Sequence, residues 1–524
     1  PKATGGRTMM QSGVTQTGKG VIIAVIDTGI DVYHPDFRDA SGKSRILAYF
    51  DPFDESNKES GGKVGSPSPI PGVPGTLYTQ EQITAAIAAK TGVNSVDTYG
   101  HGTAVASVAG GNGLGAGANA AMFKGVAPDV QFIAIKKDNG KTEYKFPILA
   151  KWIQDYAKSK NMPVVINYSA GSNKGPHDGS TDNEKQLDLL VGPGIKGSAI
   201  TVSAGNERLD LHHAGGRFTG ANKAGSIINP TLIRAISFPG EAGGTTMMQG
   251  YFRSEDDWTL AIKGTAAPFD KGFIHVGENN KEVVAAFPNG ITDEQKSAFF
   301  KVATRKNLPN GDTELTLHLP EGTYEIFCYG NDSTIKSGKY SLYLPSTDES
   351  SFYTGAVQQY MVISPATAKN VIAVGAYNMT EAWTNASGEK IDANLEVGEI
   401  ADFSCPGFRR DGVIKPDMTA PGCWLLSAAA AGSGMKAGAV TSEIRSIGPN
   451  NLYLAWKGTS ASAPYLAGVI ALMFEKNPNL DTDQIKDILK RSALTDSFTG
   501  GVPNPTWGWG KVDVRKALEL TPAK

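Results

Sequence analysis

Three short stretches, far apart along the chain, carry the residue types of nucleophilic acyl transfer. Asp27 ends the apolar run in VIIAVIDTGID, His101 opens GHGTAVASVAG, and Ser460 lies within GTSASAPYLAGVIAL. A serine hydroxyl is a poor nucleophile near neutral pH and needs a base to take its proton. His101 can serve as that base, while Asp27 can hold the imidazole tautomer and stabilise the imidazolium. Each residue has an ordinary reading when taken alone: a turn or cap aspartate, a structural histidine before glycine, a loop serine. The chemistry rests on the three together, each in its own extended context and in the order Asp, His, Ser.

The elements expected around these residues would present them at one edge of a sheet. Val21 to Ile26 is a continuous apolar, β-branched run, the pattern of a parallel strand buried on both faces, and Asp27 follows at its carboxyl end. Similar runs occur at Val130–Ile135, Val164–Ile166, Ala199–Val202 and Val371–Val374. Helical signals lie between them. Thr79 with Gln82 and Asp481 with Gln484 form capping boxes, and Ile148, Leu149, Trp152, Ile153 and Tyr156 follow a helical period. The small residues after His101 suit a tightly packed helix, and Pro464 is expected in the first turn of a helix carrying Ser460. Alternating strands and helices predict an α/β domain with a parallel sheet.

Between about Glu207 and Val362 the pattern changes. Leu315, Leu317 and Leu319, then Tyr324, Ile326 and Cys328, then Tyr340, Leu342 and Leu344 alternate with polar residues. Turn signals at Pro320–Gly322 and Gly330–Ser333 separate them, predicting an antiparallel sandwich. The expected organisation is therefore one α/β domain in two parts, 1–206 and 363–524, interrupted by a β-rich insertion at 207–362. Gly61 to Gly75 reads as a loop.

Composition excludes several other classes. The 524 residues carry 50 basic and 52 acidic side chains, which removes the bulk-charge argument for nucleic-acid or membrane-surface binding. No apolar run approaches the roughly 20 residues of a bilayer span. Glycine is abundant, 62 residues without a collagen-like period, and is expected at tight turns and close backbone approaches. Cys328, Cys405 and Cys423 cannot build a disulfide framework; either Cys405 pairs with Cys423 or the thiols are free and buried, which the odd count favours.

With these motifs in place, the chain resembles the subtilisin-like serine proteases. The resemblance covers Thr17 to Asp36, His101 to Ile135, Asn167 to Asn206, and Pro365 to the C-terminus. It is carried by HPDF at 34–37, FKGVAPDVQFIAIK at 123–136, FSCPGFRRDGVIKPDMTAPG at 403–422 and WGWGKVDVRKAL near the end. It implies an oxyanion hole from the Asn206 side chain and the Ser460 backbone N–H. It further implies that a protein or peptide binds as an extended strand along Ser169, Ala170 and Gly171, with Ser203, Ala204 and Gly205 on the other side of the first specificity pocket. No cofactor is required. Asp36 matches a position that ligates calcium in many relatives, with a turn or helix cap as the alternative. Ala104 and Ala461 replace the family's usual His and Met, a matter of packing rather than chemistry. Glu207 near the pocket rim could favour a basic side chain or be a surface glutamate.

The insertion, NYSAGSNKGPHDGS and the His212–His213 pair together resemble the Csp-type bacterial subtilases, whose insert is a jelly roll. Without a third ligand, His212 and His213 read as loop or packing residues rather than a metal site. The family pattern implies a serine endopeptidase, secreted or periplasmic, with a cleaved pro-region. A protease-like binding protein is the alternative from another class, and the complete triad argues against it.

Overall fold

The computed structural model describes residues 13–137, 146–217, 231–237, 245–266, 269–270, 272–278, 282–294, 296, 303–306, 308–330, 335–345, 350–384, 390–435, 445–446 and 452–524. Its largest sheet has nine strands, in the spatial order Met418–Cys423, Ile372–Asn378, Ser198–Ser203, Val164–Tyr168, Ile22–Asp27, Gln131–Lys136, Ile46–Asp51, Thr76–Thr79 and Ser66–Pro67. The first seven pair in parallel, and an antiparallel edge follows. The two-residue strand Ser66–Pro67 corrects the expectation that Gly61 to Gly75 is only a loop: its backbone extends the edge beside Thr76–Leu77.

The central strand shows why an unbroken apolar run was required. Ile23 and Val25 join a core with the helices His101–Gly110 and Thr459–Lys476 on one face of the sheet. Ile22, Ala24 and Ile26 join a second core beneath the helices Phe146–Ser159 and Asp182–Asp188 on the other. Both faces are dry, so no position can be polar until the strand ends at Asp27. The helix bearing Ser460 is likewise enclosed, with every residue from Ala461 to Phe474 buried. That explains its lack of a polar stripe. The capping boxes at Thr79, Thr181 and Asp481 all form.

The β-rich stretch folds as two antiparallel sheets. One has the order Ala303–Arg305, Asp312–Pro320, Thr245–Arg253, Lys339–Tyr343, His213–Arg217. The other runs Glu282–Ala286, Ile274–Glu278, Trp258–Gly264, Gly322–Gly330, Thr231–Ser237, Ser351–Thr354. Leu315, Leu317, Leu319 and Leu342 from the first meet Leu260, Ile262, Ile326 and Cys328 from the second in one core, each sheet turning its alternate residues inward. The predicted turn residues Asn331, Asp332 and Ser333 lie outside the described residues. Cys328, Cys405 and Cys423 are free and buried.

Candidate active site

Asp27 sits at the carboxyl end of the central strand and is fully buried. Its Oδ1 accepts hydrogen bonds from the Thr28 N–H and from His101 Nδ1, each at 2.7 Å. Burial alone would raise the Asp27 pKa. The facing imidazole, Lys137 and the Thr28 N–H outweigh it and hold the carboxyl below its usual range. With Nδ1 on the carboxylate, His101 keeps Nε2 for proton transfer. His101 begins its helix, and its ring packs edge-on against Trp456 with centroids 5.3 Å apart.

A residue that the sequence reading missed fastens this pair. The buried Asp97 accepts from Thr28 Oγ1 and the Gly100 N–H at Oδ1, both at 2.8 Å. Its Oδ2 accepts from the Thr103 N–H at 2.9 Å and Thr103 Oγ1 at 2.6 Å. Thr28 Oγ1 also accepts from the Gly102 N–H at 2.9 Å. One carboxylate thus ties the neighbour of Asp27 to both sides of His101. The available signal was an acid four residues ahead of the histidine, in DTYGHGT.

Ser460 occupies the second position of the helix Thr459–Lys476. Pro464, expected in the first turn, lies one turn further in, where its missing N–H leaves the Ser460 carbonyl without its helical partner. Ser169 Oγ takes that place, donating to Ser460 O at 2.9 Å. The Ser460 hydroxyl donates to Ser169 O at 3.3 Å, and among the described residues no hydrogen bond joins it to His101. Such bonds are often long before substrate binds.

Asn206 lies beside the serine. Its Oδ1 accepts from the Thr459 N–H and Thr459 Oγ1, both at 2.8 Å, which turns Nδ2 the other way. A Cβ built on Gly458 would lie 3.6 Å from both Asn206 Nδ2 and the Ser460 N. Glycine at 458 therefore leaves the space beside these two nitrogens free of a side chain.

The other expected residues divide. Ser172 pairs antiparallel with Ser364, next to the Ser169–Gly171 segment, and Ala204 O accepts from the Ile363 N–H at 3.0 Å. Ser203 is the last residue of its strand and is buried, as are Ser169 and Ala204. Glu207 is not a free surface acid. Its Oε2 accepts from the Asn206 N–H at 2.7 Å and from the Cys405 thiol at 3.2 Å. His212 and His213 are buried, and His213 stacks on one face of Tyr343 with His177 on the other. Asp36 Oδ1 faces donors, Tyr453 Oη at 2.6 Å and the Gly115 N–H at 3.0 Å. Calcium takes six to eight oxygens. No group of three or more His, Cys, Asp or Glu that could hold a metal occurs among the described residues.

A profile described as "Subtilase family" matches residues 18–307 and 319–510. The chain is 24% identical to C5a peptidase of Streptococcus pyogenes serotype M3, over 96% of this chain and 40% of that protein. It is 25% identical to the PIII-type proteinase of Lactococcus lactis subsp. cremoris strain SK11, over 91% of this chain and 23% of that protein. It thus spans less than half the length of these relatives. Among solved structures it is similar to the Clostridium perfringens CspB protease, with a TM-score of 0.71 and 23% identity, covering 97% of this chain and 94% of that one. This last likeness concerns the fold.

Proposed function

The chain belongs to the subtilase family, and from that premise we propose that it is a serine endopeptidase working through an acyl-enzyme on Ser460. Ser460 Oγ attacks the scissile carbonyl carbon as its proton passes to His101 Nε2. The resulting oxyanion is held by Asn206 Nδ2 and the Ser460 N–H. His101 then protonates the leaving amine, the C–N bond breaks, and the acyl ester remains on Ser460. Water, deprotonated by His101, hydrolyses the ester and restores the hydroxyl. Asp27 orients the imidazole and balances its charge throughout.

The observation that carries this reading is the 2.7 Å bond between Asp27 Oδ1 and His101 Nδ1, which commits the imidazole to one tautomer. Substrate enters as an extended strand along Ser169–Gly171, where small side chains admit a second backbone. Export from the cytoplasm belongs to the same proposal. Among the described residues no helix is long and apolar enough to cross a membrane.

A fluorophosphonate probe should modify the folded protein on Ser460, and the Ser460→Ala variant should lose both labelling and peptide hydrolysis. Hydrolysis that survives in a contaminant-free Ser460→Ala preparation would refute the assignment. A folded wild-type protein that neither labels nor cleaves would instead be a binding protein on a protease scaffold.

A further inference from the structure

We propose that Ile363 sets the specificity of the pocket for the side chain on the acyl side of the scissile bond, restricting it to small residues; this rests on the peptidase reading above. A peptide lying along Ser169–Gly171, with its carbonyl between Ser460 and Asn206, directs that side chain into the gap between residues 169–171 and 204–206. The chain crosses this gap at 363–364. Ile363 N–H donates to Ala204 O at 3.0 Å on one wall, and Ser364 exchanges backbone bonds with Ser172 at 2.9 and 3.0 Å on the other.

The Ile363 side chain touches both walls. A Cβ placed on Gly171 would meet Ile363 Cδ1 at 2.5 Å, and one placed on Gly205 would meet Ile363 Cγ2 at 2.8 Å. The two glycines draw the walls in on an isoleucine that is 5% exposed, so its branches occupy the depth a long side chain would need. A β-branched residue is stiff about χ1 and does not swing clear without strain.

Two further side chains crowd the space beside Gly205, with Glu207 Oε2 only 2.6 Å from the Cβ position on that glycine. Cys405 Sγ lies 2.9 Å from the same Cβ position on Gly205, and burial raises its thiol well above the ordinary range, keeping it neutral. The nearby carboxylate of Glu207 is engaged by that thiol and by the Asn206 N–H.

The test is a set of internally quenched peptides that differ only at the acyl-side residue. Wild-type kcat/KM should favour Ala, Ser and Gly over Leu, Phe, Lys and Arg by about tenfold or more. Ile363→Ala should raise the Phe-to-Ala and Leu-to-Ala ratios by at least about tenfold. Ile363→Val, which removes the methyl nearest Gly171, should shift them in the same direction by less. A wild-type preference for large or basic residues overturns the proposal, as do unchanged ratios in a variant whose melting shows it folded. Should Ile363→Ala not fold, the wild-type profile and Ile363→Val decide. A wild-type protein that labels on Ser460 yet prefers large residues defeats only this inference; one that neither labels nor cleaves defeats the peptidase reading as well.

Discussion

Ser169 Oγ donates a 2.9 Å hydrogen bond to the carbonyl oxygen of Ser460, the oxygen that Pro464 deprives of its helical N–H. The donor is itself oriented: Asn167 Nδ2 donates to Ser169 Oγ at 2.9 Å, and Thr201 Oγ1 donates to Asn167 Oδ1 at 3.0 Å. All three supports are buried. A chain of side chains from two neighbouring strands thus ends on the backbone of the nucleophile, joining the expected substrate-binding segment to the residue that attacks.

Ser169→Ala should therefore leave the half-buried Ser460 carbonyl without its side-chain donor and cost about 0.5–1.5 kcal/mol of stability. We expect kcat to fall more than KM changes, because the serine backbone loosens while the substrate strand keeps its backbone partners. Ser169→Thr, which retains a hydroxyl, should recover part of kcat. Thermal melts alongside steady-state kinetics check this; equal kcat in all three proteins would detach the bond from catalysis.

Asn206→Ala should lower kcat by roughly 100- to 1,000-fold with little change in KM, a scale taken from subtilisin itself. The donor matters only once charge develops on the oxygen. A change confined to KM would show Asn206 contacting ground-state substrate instead.

Asp97→Ala should remove four hydrogen bonds that tie Thr28 to the backbone and side chains around His101. A loss on the order of 3 kcal/mol is expected, since the freed buried donors have no water to turn to. Asp97→Asn, keeping the shape and one acceptor oxygen, should lose less stability and less kcat. Denaturant titration with kinetics distinguishes this from a surface acid, for which both variants would match wild type.

Stability should also fall on acidification through His213. Burial first, with His177 and Arg410 adding to it, pushes its pKa down from the usual 6.5 to about 3. Between those values the unfolded chain holds the proton and the folded one does not, so the contribution is complete above pH 6.5 and is lost progressively toward pH 3. The slope is up to about 1.4 kcal/mol per pH unit. Burial lowers His177 in the same direction. His213→Phe, which keeps a ring against Tyr343 without titrating, should show a shallower decline of Tm from pH 6.5 to 4. Parallel declines would remove His213 from the acid response.

What the sequence determined by itself was local. Unbroken apolar runs marked Ile22–Asp27 and Ser198–Ser203 as strands buried on both faces, and alternation marked the leucines of Asp312–Pro320 as half-buried. Burial pattern depends on neighbours a few residues away, so it is written as a period. Asp27, His101 and Ser460 were read from short motifs taken together, and Asn206 from the resemblance to the subtilisin-like proteases. The tertiary structure alone decided which distant segments touch. Glu207, readable as a rim charge for basic substrates, is engaged by Cys405; Ile363 closes on Gly171 and Gly205; Ser169 reaches Ser460 across the cleft. Such contacts follow from strand order, register and the close approach of backbones, and segments separated by a whole β-sandwich share no period that could announce their meeting.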